Sequence, residues 1–112
     1  MDDLNILERE VLKAIVDEHA IKLPGFQEHF AKLKVKGREY TGVGLYTNFQ
    51  YQSIKMAVKD IALSSKKRLL IKGLKYELSY ELNLTDGKIH FLEIVTNGNE
   101  SWDGQAETFE LA

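Results

Sequence analysis

The chain has no cysteine. That excludes disulfides, thiolate metal sites and cysteine nucleophiles together, and leaves the redox compartment open. It has a single proline, Pro24, and no linker, repeat or low-complexity tract. Nothing marks a domain boundary, so residues 1–112 read as one domain. Uninterrupted apolar runs reach only about three residues, against the roughly 20 that a spanning helix needs. The start, Met-Asp-Asp-Leu, is acidic and lacks the basic and apolar regions of a secretory signal. By elimination the expected location is cytoplasmic, with no membrane partner.

What is present suffices for one core. Apolar residues make up 44% of the chain, and a domain this size buries roughly two-thirds of its unfolded surface. Net charge is −2, but it is unevenly placed. Residues 1–30 carry three basic and seven acidic groups, residues 31–75 eleven and two, and residues 76–112 one and eight. Such blocks point to a charged partner, or to segments that pack together and neutralise one another.

Residues 3–21 predict a helix, with Leu4, Leu7, Val11, Leu12, Ile15, Val16 and His19 in one stripe and Asp2 and Asp3 at the capping end. Pro24 and Gly25 stop it. A shorter helix follows, with Phe26, Phe30 and Leu33 on one face, and the pair should cover one face of a sheet. From residue 34 to about 51 the period becomes two and the residues β-branched or aromatic, which predicts strand. That is long for one strand, and Gly37, or Gly42 with Gly44, marks a turn or bulge within it. Residues 53–65 fit helix or strand, with strand favoured for 57–64. Lys66-Lys67-Arg68 then reads as an exposed loop before the apolar run Leu69 to Ile71.

The clearest element is a hairpin. Tyr76, Leu78, Tyr80, Leu82 and Leu84 alternate with polar residues, Asp86-Gly87 is a turn signal, and Ile89 to Thr96 returns. A two-residue loop sets Tyr80 opposite Glu93 and buries Ile89, Phe91 and Val95. A loop one residue longer sets Tyr80 opposite Ile94 and buries Leu92 and Ile94 instead. Thr108 to Leu111 predicts a last short strand. The expected fold is α+β: two N-terminal helices packed on a mostly antiparallel sheet of about five strands.

The motifs for chemistry are sparse. His19, His29 and His90 show no metal-ligand spacing, and His29 is expected to face solvent. Gly42-Val43-Gly44 lies in a strand and lacks the third glycine of a dinucleotide fingerprint. Asn97-x-Asn99-x-Ser101-x-Asp103 lacks the glycine and glutamate of a calcium loop. No cofactor is implied. Glu39 and Glu93 stand out because each sits in an otherwise apolar or aromatic strand, where a carboxylate needs a partner or titrates abnormally; Arg38, Tyr40 and Tyr80 are the candidate partners. Trp102 sits among turn residues, either as a plug at the sheet's end or as an anchor for a partner. Lys66, Lys67 and Arg68, with Lys72 and Lys75, form an acid-free stretch suited to phosphates or an acidic surface.

Arg38-Glu39-Tyr40-Thr41-Gly42-Val43-Gly44-Leu45-Tyr46-Thr47-Asn48-Phe49 resembles the middle of a group of short bacterial proteins without assigned function. Gly73-Leu74, Asp86-Gly87, Leu92-Glu93, Thr96-Asn97-Gly98 and Trp102 follow in the same order. The chain departs from that group at Lys75-Tyr76-Glu77, where glycines are expected, and at Asp103, where a proline is. The resemblance implies a bacterial origin and a compact stand-alone domain, and brings no activity.

Three functions remain. The first is a non-catalytic protein-binding domain, an immunity-type inhibitor or adaptor, whose partner carries opposite local charge. The second is a small-ligand binder or enzyme using Glu39, Glu93 or His90. The third is nucleic-acid binding through residues 66–75, which lacks a supporting aromatic signature. Pairing of sheet edges into a homodimer stands beside these. The candidate binding residues are Glu39, Tyr40, Glu93, Trp102, Lys66, Lys67 and Arg68.

Overall fold

The computed structural model describes residues 4–23, 25–50 and 60–112. The first helix, α1, is Ile6–His19, shorter than the stripe predicts because its cap is Asn5. The Asn5 side chain accepts from the Glu8 backbone N–H at 2.8 Å, and the Glu8 carboxylate accepts from the Asn5 backbone N–H at 2.9 Å. This reciprocal pair satisfies two donors that a helix start leaves open. Asp2 and Asp3 lie outside the described residues, as does Pro24. The second helix, α2, is Phe26–Ala31 and starts from Gly25 at φ +85°, a left-handed conformation that glycine adopts without penalty. Phe26 is buried, and so is His29, contrary to the expectation that it faces solvent. Three positions apart on a helix, the two share a face.

The long strand of the sequence reading is two, β1 (Val35–Tyr40) and β2 (Gly44–Phe49), folded back through Gly42 at φ +90°. Gly37 is also irregular, since the register slips between it and Val35. There follow β3 (Ile61–Leu63), β4 (Leu69–Ile71), β5 (Leu78–Thr85), β6 (Lys88–Thr96) and β7 (Phe109–Leu111). Of the strand expected over 57–64, positions 57–59 lie outside the described residues. The sheet runs β1-β2-β6-β5-β4-β7, with β3 also on β5, and every pairing is antiparallel. It has seven strands rather than about five, because three-residue strands add to the sheet at β5 and β4.

The hairpin combines both registers read from its sequence. Thr85 pairs with Lys88, so Asp86 and Gly87 form a two-residue turn, at φ 53° and 73°, the pattern that suits the strand twist. Leu84 then pairs with Ile89, the register slips, and Tyr80 meets Ile94. His90 is the extra residue. A one-residue bulge exchanges the faces of a strand, so Ile89 from one register and Leu92 and Ile94 from the other are all buried.

The core joins Leu7, Val11, Leu12, Ile15 and Val16 of α1 and Phe26 of α2 to Leu45, Phe49, Leu82, Leu92 and Ile94 of the sheet. Each such side chain contributes on the order of 1.5–3 kcal/mol. Both helices thus lie on one face. Among the described residues, no helix is long and apolar enough to cross a membrane.

Candidate functional site

With Leu45, Thr47 and Phe49 of β2 turned to the core, the alternation of a strand sends Tyr46 and Asn48 to the opposite face. The same rule sends Phe91, Glu93 and Val95 of β6 outward, and Ser79, Glu81 and Asn83 of β5. These residues stay half-buried or exposed. Across the open face Glu39 pairs with Tyr46, Tyr46 with Glu93, and Glu93 with Glu81. Neighbouring strands lie about 4.8 Å apart, so the row spans roughly 15 Å. Glu39 and Glu93, singled out by sequence, therefore flank one tyrosine. Among the described residues, no ion pair reaches Glu39, Glu81 or Glu93.

Tyr46 stands opposite Glu93, and hydrogen bonding to that carboxylate and its charge, with smaller effects of burial and Glu39, push the phenol above its ordinary 10. The Phe91 ring lies 5.7 Å from Tyr46 at 57°, and His90 stands edge-on to Phe91 at 5.1 Å. The imidazole Nδ1 of His90 is 3.1 Å from the Thr85 hydroxyl.

The partners expected for the two carboxylates are engaged elsewhere. Arg38 turns inward, and its Nε and Nη2 each donate to the Glu8 carboxylate at 2.7 Å. Thr47 donates to the same group at 2.5 Å. Tyr80 is buried, and its hydroxyl donates to the Lys67 carbonyl at 2.7 Å and meets the Ser65 hydroxyl. Burial raises its phenol above 10, against the opposing Ser65 bond and with help from the Glu18 charge. Tyr40, half exposed at 52%, lays its ring against Gly104, where a Cβ would overlap it.

Lys66, Lys67 and Arg68 are exposed, on a loop held from three sides. Glu18 accepts from the Lys66 backbone N–H at 3.0 Å, His19 Nε2 lies 2.8 Å from the Ser64 carbonyl, and Tyr80 fixes Lys67. Arg68 pairs with Glu77. Farther along the segment, Glu100 accepts from the backbone N–H of Lys75. Arg68 is thus neutralised by an acid and Glu100 sits against the backbone of Lys75, which argues against a continuous phosphate-binding strip.

Trp102 is 6% exposed. Its indole N–H donates to the Gln105 carbonyl at 2.8 Å, and its backbone N–H donates to the Gly42 carbonyl at 2.9 Å. It plugs the end of the sheet beside an open cleft of about 820 Å³. His90 lines a separate cleft of about 350 Å³ with Lys36, Phe49 and Asp86, and neither Glu39 nor Glu93 reaches it. The three groups of the enzyme reading do not converge there.

Glu8 was missed by sequence reasoning. It is fully buried. Burial alone would raise its carboxyl, but hydrogen bonds from Arg38, Thr47 and Asn5 and the Arg38 charge hold it below the ordinary 4.5. Two signals were available: Asn5-x-x-Glu8 is a capping-box pattern, and Glu8 falls between Leu4 and Leu12 at a spacing of four, inside the apolar stripe. Among the described residues, no group of three or more His, Cys, Asp or Glu is arranged to hold a metal ion. Compared with known proteins, the chain matches no family model, no curated protein and no solved structure.

Proposed function

We propose that the protein is a non-catalytic binding domain, of the immunity-type inhibitor or adaptor kind, and that its partner is a protein with a basic surface. The row Glu39–Tyr46–Glu93–Glu81 carries this reading. Like charges directly opposite on neighbouring strands, as in Glu81 and Glu93, destabilise a sheet. A partner's cations would offset that cost and use it for selection. Half-buried Tyr46, Phe91 and Val95 add the apolar contact that interface centres need. The same row disfavours a second copy packed face to face, since a two-fold axis would set carboxylates against carboxylates.

The test is capture from a lysate of the encoding organism, with the natural chain and an E39Q/E81Q/E93Q variant, at low and high salt. The expected result is one basic protein, held stoichiometrically at low salt, released at high salt and absent with the variant. A partner retained equally by the variant, or no partner at all, removes the reading.

A further inference from the structure

If the open face binds a basic protein, as proposed above, the side chain it selects depends on what lies between the carboxylates. A bare acidic row attracts lysine and arginine alike. This row is not bare. Tyr46 stands between Glu39 and Glu93, and Phe91 lies beside it with ring centroids 5.7 Å apart. Both rings are half-buried, so each keeps part of its surface open. They are also supported from the side: Tyr46 stands directly opposite Glu93, and His90 packs edge-on against Phe91.

We propose that this face recognises arginine rather than lysine, with a partner guanidinium lying over the Tyr46 ring, against Phe91, while Glu93 and Glu39 accept its N–H groups. The planar guanidinium presents a face for stacking and a fork of donors in its own plane. It can cover a ring and reach a carboxylate together. An ammonium is compact and strongly hydrated, and gains mainly charge from the same site. Pre-set rings lower the ordering cost of the contact.

The test uses a hexa-arginine and a hexa-lysine peptide, equal in length and charge, titrated into the full chain and followed by NMR shifts of Tyr46, Phe91 and Val95. Hexa-arginine should bind about fivefold more tightly. Phe91→Leu should bring the two peptides level, and E39Q/E81Q/E93Q should weaken both. Equal affinities that still depend on the carboxylates overturn the arginine inference and leave the binding-domain reading standing. Binding of neither peptide, or binding unaffected by E39Q/E81Q/E93Q, overturns both.

Discussion

Glu8 on α1 and Arg38 on β1 meet through two charge-assisted hydrogen bonds of 2.7 Å each, with the carboxylate fully buried. The contact ties the cap of the first helix to the outermost strand of the sheet. Removing one partner strands a buried charge, the costly half of any buried ion pair. Glu8→Ala should therefore lose about 3 kcal/mol in urea denaturation, and Arg38→Ala a similar amount. The double variant should lose clearly less than the sum of the two. Additive losses would show that the pair acts as two independent contacts.

The same carboxyl gives the fold an acid limit. Its pKa is lowered in the folded state, so the unfolded chain binds the proton more readily. The stabilisation is complete above the ordinary 4.5 and disappears as the pH falls from there through the lowered folded value. Thermal melting measured from pH 7 down to pH 2 should drop across that window. Glu8→Gln, already neutral, should be less stable at pH 7 and show a flatter decline. An equally steep decline would assign acid sensitivity to other carboxylates.

Tyr46 and Glu93 should be linked in titration. The phenol is raised above 10, first by its bond to Glu93. Glu93→Gln removes the charge and keeps an acceptor, so the Tyr46 ring resonances should titrate at a lower pH, closer to 10. An unchanged titration would place the cause in burial or in Glu39.

Tyr80→Phe removes the hydroxyl that holds the 64–68 loop. The loss should be about 1–2 kcal/mol, because the Lys67 carbonyl and Ser65 hydroxyl are left without this partner. Amide exchange should quicken between Ser65 and Arg68 more than in β6. Uniform quickening over both regions would mean that the phenol supports the whole sheet, not the loop.

Gly104→Ala tests the seat of Tyr40. Gly104 has φ +81°, which costs a residue with a Cβ about 1–2 kcal/mol, and the new methyl would also displace the Tyr40 ring. Adding Tyr40→Ala should recover the steric part and leave the backbone part. Full recovery would mean that backbone strain at residue 104 is negligible.

The helices, the central hairpin and a break in the long strand, at Gly37 or at Gly42 with Gly44, were legible because each rests on local pattern: a stripe, an alternation, a turn residue. The His90 bulge was not. Sequence offered two uniform registers, and the chain uses one on each side of a single extra residue. Glu8 escaped for a related reason. A lone acid within an apolar stripe reads as a tolerated exception until its partner is known, and Arg38 lies thirty positions away. The alternation placed Glu39 and Glu93 in strands, but only the strand order β1-β2-β6-β5 set them on either side of Tyr46 and brought Glu81 into line. For Trp102 the sequence left a plug and a partner anchor both open, and only its burial decides for the plug.

The strand order also bears on how the chain finds its fold. Strand β2 joins the rest of the sheet through β6, more than forty residues later, and β4 takes β7 as its outer neighbour. The middle of the chain thus waits for strands made after it. Loop closure must precede such long-range pairing, so refolding should be slow for a chain of this length even where the finished fold is stable.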